Sequence, residues 1–280
     1  LGIAAQSLGI AEAAFAEADS YARKRVQFKQ PIFEFPVVFE MLTDMRATLE
    51  GMRSLLYETS RIVDIKEGLE EKAEKHPERA ADLKNETNRY TKLAGLYTPI
   101  AKYFNTEWGN KVCYDSLQIH GGVGFTTEFN VERHYRDIRI TNIYEGTTQL
   151  QVVAAIGGVT SGLIFERLNE YESNSDFTPI EKTFKTVKEM RNALEMAIAT
   201  VKSADSVAVL DYQAGRLVNM ASDIIVSYLL CMDALRSDRK KKVADIFVAK
   251  ALSRVKANLE FIERKDFNVI ENHKAILNEH

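Results

Sequence analysis

The stretch LDYQAGRLVNMASDIIVSYLLCMDAL (Leu210–Leu235) decides the fold class, because its apolar residues recur every three or four positions. They are Leu210, Ala214, Leu217, Ala221, Ile224, Tyr228, Met232 and Leu235. That spacing places them on one face of an α-helix. The stretches 184–201 and 248–262 carry similar stripes. Amphipathic helices of this kind pack as helical bundles, so the sequence predicts an all-α fold.

The composition agrees with a mostly helical protein and excludes several function classes. Of 280 residues, 45% are hydrophobic and 28% are charged, with only 5 Pro and 14 Gly. The formal net charge of −3 provides no global positive field for nucleic acid or an anionic membrane. The longest apolar run, IIVSYLLCM (224–232), is too short to span a bilayer, which takes roughly 20 residues. Two cysteines, Cys113 and Cys231, favour a reducing cytoplasmic or matrix-like compartment over a disulfide framework.

Breaks in the pattern divide the rest of the chain. Helices are predicted over 2–28, 37–66, 87–118, 131–139 and 147–156, with three more beyond residue 162 and no strands. The charged segment 66–86 is predicted as a solvated excursion between helices. GGVTSG (157–162) predicts a boundary between domains at 1–158 and 159–280. Because the chain opens in helical rhythm without Met, we expect it to begin inside a larger protein.

A glycine-rich loop, QIHGGVGF (118–125), follows the third predicted helix. Its bare backbone either offers N–H groups to an anion such as a pyrophosphate, or forms a plain helix end and turn. His120 beside the glycines is either a base or a ligand. No second His or Cys stands at metal-ligand spacing, so no metal site is predicted.

Three further charged stretches have both a structural and a functional interpretation. The cations at 23–25 either bind phosphate or meet a helix dipole, and the dipole is favoured. The run RKKK (239–242) is expected to be a solvated helix start without function. In YEGT (144–147), Glu145 either caps a helix or acts as a general base. From this stretch alone, capping is favoured.

Together, three motifs resemble the C-terminal part of the acyl-CoA dehydrogenases. They are YARKRVQFKQPI (21–32), QIHGGVGFTTEFNVERHYRDIRI (118–140) and NIYEGTTQLQ (142–151), in the family's order. The resemblance covers about 1–156 and implies an up-and-down four-helix-bundle-type domain that binds flavin. The tail from about 160 resembles, by placement and pattern, the extra helical domain that a subset of these enzymes carries. The family's N-terminal helical domain and β-domain are not in this sequence.

The resemblance implies roles for individual residues. Glu145 matches the base that removes the α-proton of the acyl thioester while the β-hydrogen leaves as hydride to flavin N5. Gly146 matches a residue that lines the thioester pocket. Thr147 and Gln149 match residues that contact FAD.

A second set of matching residues belongs, in the family, to the FAD site of a neighbouring subunit. Gln118, Gly121 and Gly122 match the element that meets this FAD, and Arg25 and Gln27 match the segment whose arginine contacts its phosphate. Two residues depart from the pattern. Lys29 stands where the family has glycine, and Pro36 stands where it has glutamine.

The resemblance therefore implies FAD-dependent oxidation of an acyl-CoA to a trans-2-enoyl-CoA. It implies an electron-transfer flavoprotein as acceptor and a homodimer or homotetramer as the assembly. An acyl-CoA oxidase that uses O₂ and a non-catalytic helical assembly module are the alternatives. The 280-residue chain by itself is expected to bind FAD weakly or not at all and to be inactive.

Overall fold

The computed structural model describes residues 1–278, which are almost entirely helical, and the predicted all-α class is confirmed. The helices are α1 (Gly2–Lys24), α2 (Pro36–Lys75), α3 (Ala80–His120), α4 (Val131–Ile138), α5 (Thr148–Thr160), α6 (Leu163–Ser173), α7 (Glu181–Ser203), α8 (Val207–Ala234), α9 (Asp238–Glu263) and α10 (Asn268–Leu277). A short antiparallel hairpin, β1 (Val26–Gln27) and β2 (Gln30–Pro31), follows α1. The sequence did not predict this hairpin, and it shortens the first helix by four residues.

The first part of the chain is a four-helix bundle built around α3. The buried Asn105 amide on α3 donates to the carbonyl of Ala4 on α1 at 3.2 Å and to that of Met52 on α2 at 3.3 Å. At the C-terminal end of α3, the His120 ring stacks on Tyr21 of α1 with ring centroids 4.3 Å apart. Helices α1 and α3 are therefore parallel. Helix α2, which a short turn joins to α3, is antiparallel to both.

Helix α5 completes this bundle and runs back along α3. Lys102 of α3 contacts Gly146, just before α5, and Leu96 packs against Gly158 near the end of α5. A Cβ placed on Gly158 would lie 2.8 Å from a Leu96 methyl, so the two helices approach closely there. With α1 and α3 in one direction and α2 and α5 in the other, the bundle is up-and-down as expected.

Helix α8 is the centre of the second part. It is long and apolar enough to cross a membrane, but 83% of its most apolar window is buried inside the protein, as in a core helix. It packs on α2 where Gly51 leaves room, since a Cβ there would lie 2.6 Å from Val226 Cγ1. One hydrophobic core runs from Ala4 to Ile262 through both parts. The division into domains at 158/159 stays a prediction.

Ion pairs also join the two parts. The buried carboxylate of Glu50 on α2 accepts from Arg239 at 2.8 Å and from Lys240 on α9. Glu58, also on α2, accepts from Arg167 on α6 at 2.5 Å. The expectation that 239–242 is only a solvated helix start is therefore wrong for its first two residues.

Two other expectations about helices are wrong. The segment 66–86 is not an excursion, because α2 continues to Lys75 and α3 begins at Ala80. Ion pairs one turn apart, Lys66–Glu70 and Glu71–Lys75, support the solvated end of α2. Beyond residue 162, the described residues form five helices and not three. The predicted stripes lie on α7, α8 and α9, whereas α6 and α10 are short and were missed.

Candidate active site

The segment 142–148, here called the Glu145 turn, reverses the chain before α5. Glu145 has φ of +53° and Gly146 has φ of +88°, so two successive residues are in left-handed conformations. The Glu145 side chain is exposed. The N-cap residue of α5 is Thr147, and no side chain caps this helix. The capping interpretation of Glu145 is therefore wrong, and its carboxylate is left facing solvent.

A buried lysine lies beneath this turn. Lys102 of α3 is 7% exposed, and its Nζ is 2.5 Å from the carbonyl oxygen of Tyr144, 2.7 Å from that of Glu145 and 2.5 Å from that of Gly146. Burial lowers the pKa of Lys102, and the nearby Glu145 carboxylate opposes that shift. The sequence analysis missed Lys102, although a cation in the apolar run IAKYF (100–104) was the available signal.

Glu107, five residues further along α3, holds both ends of the turn. Its Oε1 accepts from the Asn142 amide at 2.9 Å and from the Thr148 hydroxyl. The Gln151 amide adds a bond to the carbonyl of Gly146 at 3.2 Å. The Glu145 turn is thus attached to one rigid helix at its centre and at both ends.

The segment 118–125, here called the glycine turn, ends α3. Gly121 has φ of +64°, and a Cβ added at Gly121 or Gly122 would meet nothing within 4 Å. Gly124 differs, because its added Cβ would lie 2.6 Å from His120 Cβ. Gly121 and Gly122 therefore present open backbone, whereas Gly124 is required for packing. Gln118 beside them is exposed.

His120 has a structural role in this turn. Its ring is buried, stacks on Tyr21, and lies with Nδ1 2.8 Å from the Ser116 carbonyl, to which that nitrogen donates. It therefore faces the protein interior and is not available as a base. Within residues 1–278, no group of three or more His, Cys, Asp or Glu side chains is arranged to hold a metal ion.

The segment 25–31, here called the cation hairpin, follows α1. Arg25 and Gln27 are exposed, and Arg25 forms no ion pair in the described part of the chain, whereas Arg23 pairs with Asp19 at 2.9 Å. Phe28 (φ +47°) and Lys29 (φ +71°) form the tip of the hairpin. Both left-handed positions favour glycine. Lys29, the departure noted above, therefore occupies a position where its Cβ is strained.

The predicted site residues fall into two clusters along α3, which runs from Ala80 to His120. The first, here called the Glu145 cluster, lies over Lys102 near the middle of the helix and holds Glu145, Gly146, Thr147 and Gln149. The second, here called the Gly121 cluster, lies at the C-terminal end of the helix, which the Tyr21–His120 stack joins to the end of α1, and holds Arg25, Gln27, Gln118, Gly121 and Gly122. From Lys102 to His120 the helix advances 18 residues, or about 27 Å at 1.5 Å per residue. One chain therefore does not bring all nine residues together.

The family comparison agrees with this fold. The family model described as "Acyl-CoA dehydrogenase, C-terminal domain" matches residues 1–156, and that described as "Acyl-CoA dehydrogenase C terminal" matches residues 160–270. The chain belongs to the acyl-CoA dehydrogenase family.

Curated relatives match mainly the first part of the chain. The caffeyl-CoA reductase–Etf complex subunit CarC of Acetobacterium woodii is 35% identical over 167 residues, covering 60% of this chain and 36% of that protein. The short-chain-specific acyl-CoA dehydrogenase of Megasphaera elsdenii is 36% identical over 159 residues, covering 57% and 35%. The chain thus spans about a third of the length of these relatives.

Two solved structures share the fold over nearly the whole chain. An acyl-CoA dehydrogenase from Bacillus anthracis, complexed with FAD, matches with a TM-score of 0.75 and 20% identity, covering 99% of this chain and 51% of that one. ACDH-11 of Caenorhabditis elegans, in complex with C11-CoA, matches with a TM-score of 0.69 and 20% identity, covering 95% and 46%. The arrangement of both helical parts therefore recurs in solved proteins.

Proposed function

We propose that this chain is the C-terminal helical part of an FAD-dependent acyl-CoA dehydrogenase that oxidises an acyl-CoA to a trans-2-enoyl-CoA, with Glu145 as the base. The observation that carries the proposal is the Glu145 turn. It holds an exposed carboxylate on a left-handed residue that is fixed by a buried lysine and caps no helix. A carboxylate so constrained without a structural task of its own is a candidate for chemistry.

The residues of the Gly121 cluster fit the phosphates of FAD. The glycine turn offers open backbone where a Cβ would meet nothing, and Arg25 offers a guanidinium without a carboxylate partner in residues 1–278. Backbone N–H groups and a free guanidinium are suitable donors for a pyrophosphate. Gln27 and Gln118 add exposed amides beside them. We assign these five residues, with Thr147 and Gln149 of the Glu145 cluster, to FAD.

The chemistry of this chain's residues is proton removal. Glu145 takes the α-proton of the acyl thioester, and we assign Gly146 to the lining of the thioester pocket. When bound, FAD supplies the two-electron acceptor, its N5 receiving the β-hydrogen as hydride. The α-proton and the β-hydride together account for the two hydrogens lost when the trans-2-enoyl-CoA forms.

The two-cluster arrangement supports a homo-oligomer. With about 27 Å of helix between them, the phosphate-binding cluster of one chain and its own Glu145 serve different flavins. A dimer or tetramer then completes each site from two copies. The name of CarC, a subunit of an Etf complex, supports an electron-transfer flavoprotein as the electron acceptor. We assign the protein to the cytoplasm on its two unpaired, buried cysteines.

The test is anaerobic reduction of bound FAD by acyl-CoA in the full-length protein. We expect Glu145→Gln to retain its flavin and to slow the reduction by about 10²–10⁴-fold, because a positioned base is lost. Glu128→Gln, an exposed carboxylate in the loop after the glycine turn, is the matched control and should reduce at the wild-type rate. Near-normal reduction by Glu145→Gln would overturn the proposal.

A further inference from the structure

Lys102 has an unusual set of partners for a buried lysine. All of its hydrogen bonds go to the main-chain carbonyls of three consecutive residues, Tyr144, Glu145 and Gly146. An ammonium group has three N–H donors, so its donors are fully used. Lys102 takes part in none of the ion pairs found in residues 1–278, although the Glu145 carboxylate is near enough to influence its pKa. The partner of this buried cation is thus a piece of backbone.

These bonds constrain the residue proposed as the base. Three successive carbonyls can converge on one atom only if the chain bends sharply, and Glu145 and Gly146 provide that bend with φ of +53° and +88°. A left-handed conformation is unfavourable for a non-glycine residue and persists only where its surroundings impose it. Since the Glu145 carbonyl points inward to Lys102, its side chain emerges on the solvent side.

Packing alone does not require a lysine at this position. The neighbours Ile100, Ala101 and Phe104 are fully buried, and burying an ammonium among them costs free energy unless its donors are satisfied. An apolar side chain would fill the same space but would remove the bond to the Tyr144 carbonyl and leave those of Glu145 and Gly146 only the Gln151 amide, at 3.4 and 3.2 Å. A buried lysine costs more free energy than a buried apolar side chain, so its presence here is explained by the shape that it gives to the turn.

We propose that Lys102 is a positioning residue for Glu145. Its ammonium holds the three carbonyls of the Glu145 turn so that the carboxylate is presented at a fixed place, and it puts a positive charge beneath that carboxylate. Glu107 secures the ends of the turn, whereas Lys102 secures its centre. This inference rests on the proposed function of Glu145 as the base.

The first test measures the turn itself and needs neither turnover nor substrate. Amide hydrogen exchange is compared for Lys102→Met and Lys92→Met in the full-length protein. Lys92 is an exposed lysine on the same helix, outside the ion pairs of the described residues. We expect Lys102→Met to raise exchange at residues 143–148 by at least about tenfold, since the opening of the turn is no longer opposed. Exchange in the α2 core at residues 49–56 should stay unchanged in both variants.

Two results of that experiment would overturn the proposal. One is unchanged exchange at 143–148 in Lys102→Met. The other is a rise that is equal at 143–148 and at 49–56, which would make Lys102 a residue of general stability. If Lys102→Met fails to fold, Lys102→Gln keeps a shorter amide donor and is measured in the same way.

The second test is a double-mutant cycle on flavin reduction. We expect Lys102→Met to slow reduction at saturating acyl-CoA by about 10²-fold, because a misplaced catalytic group costs about that much. KM and flavin content should change less than about twofold. In the Glu145→Gln background, Lys102→Met should have no further effect. An equal slowing in both backgrounds would contradict a role through Glu145.

The two proposals can fail separately. If Glu145→Gln reduces flavin normally, the proposed function fails, while the exchange experiment still decides whether Lys102 holds the turn. If Glu145→Gln is inactive but Lys102→Met reduces flavin at the wild-type rate, the base stands and the positioning role is wrong.

Discussion

The two clusters along α3 differ in how they hold their candidate site residues. In the Glu145 cluster, the carbonyl of the left-handed Glu145 accepts hydrogen bonds from Lys102 and Gln151. Glu107 accepts from Asn142 and Thr148 at the two ends of the turn. In the Gly121 cluster, the glycine turn and the cation hairpin leave open backbone and an unpaired Arg25 in the described residues. In the proposed function, the base is therefore held within one chain, whereas the backbone and the guanidinium of the Gly121 cluster are open to a ligand.

The largest effect on turnover should come from a substitution in the Glu145 turn. Gly146→Ala places a Cβ at φ of +88° and 2.8 Å from the Gln151 amide, so the turn must shift. We expect turnover to fall by about 10²-fold with flavin content unchanged. The control Gly157→Ala, on α5 where an added Cβ meets nothing within 4 Å, should keep wild-type turnover. Equal turnover in the two variants would show that the turn tolerates movement.

A substitution in the Gly121 cluster should lower the affinity for FAD and leave the function of the base unchanged. Arg25→Gln removes a charge-assisted hydrogen bond to phosphate, so we expect FAD affinity to fall by about tenfold. Turnover should return to the wild-type value at saturating FAD. Lys24→Gln, the exposed neighbouring cation, is the control. Titration of the apoprotein with FAD measures both, and a loss of turnover that excess FAD does not restore would contradict the division of roles.

Backbone strain also distinguishes the Glu145 turn from the cation hairpin. Glu145 and Lys29 are both left-handed non-glycine residues, but only Glu145 is held by a buried cation. Lys29→Gly should therefore raise the free energy of unfolding by about 1 kcal/mol, because glycine adopts this conformation without penalty. Gln30→Gly, at an extended position in β2, should lower it by about 0.5–1 kcal/mol. Urea denaturation of the two variants checks the opposite signs, and a loss of stability in Lys29→Gly would refute the strain.

The ion pair between Glu58 on α2 and Arg167 on α6 should respond to pH without moving either cluster. Burial raises the pKa of Glu58, but bonds from Arg61, Arg167 and Tyr171 outweigh it and hold the pKa below its ordinary value of 4.5. A lowered pKa adds stability above pH 4.5 that is lost as the pH falls through the folded-state value. The stability difference between wild type and Glu58→Gln should thus shrink from pH 6 to about pH 3. A stability difference between the two proteins that grows on acidification would contradict the lowered pKa of Glu58.

The sequence predicted those features that depend on periodicity or on a complete motif. The stripe from Leu210 to Leu235 predicted the core helix α8, and YEGT drew attention to Glu145. The sequence could not predict that α2 and α3 extend into 66–86, because a charged, alanine-rich segment is equally suited to a solvated helix and a loop. The ion pairs that extend α2 become visible only once the helix is in place.

The candidate site was predicted less completely, for a spatial reason. Arg25, Gly121 and Glu145 were identified singly, but only the course of α3 shows that Lys102, beneath Glu145, and His120, beside Gly121, are about 27 Å apart along the helix. Lys102 lies 43 residues before Glu145, and a contact over that separation leaves no local pattern. Its one signal was a cation in an apolar run, which by itself does not say which carbonyls it meets.

The most direct measurement of the central claim is hydrogen exchange at the substrate's α-carbon. The full-length, FAD-loaded protein is incubated in D₂O with a CoA thioester that carries sulfur at the β-position, so that it has an α-proton to lose but no β-hydride to transfer. We predict that the wild-type protein incorporates deuterium at the α-carbon and that the rate of incorporation by Glu145→Gln is lower by about 10²-fold or more. Equal incorporation by the two proteins would mean that Glu145 is not the base.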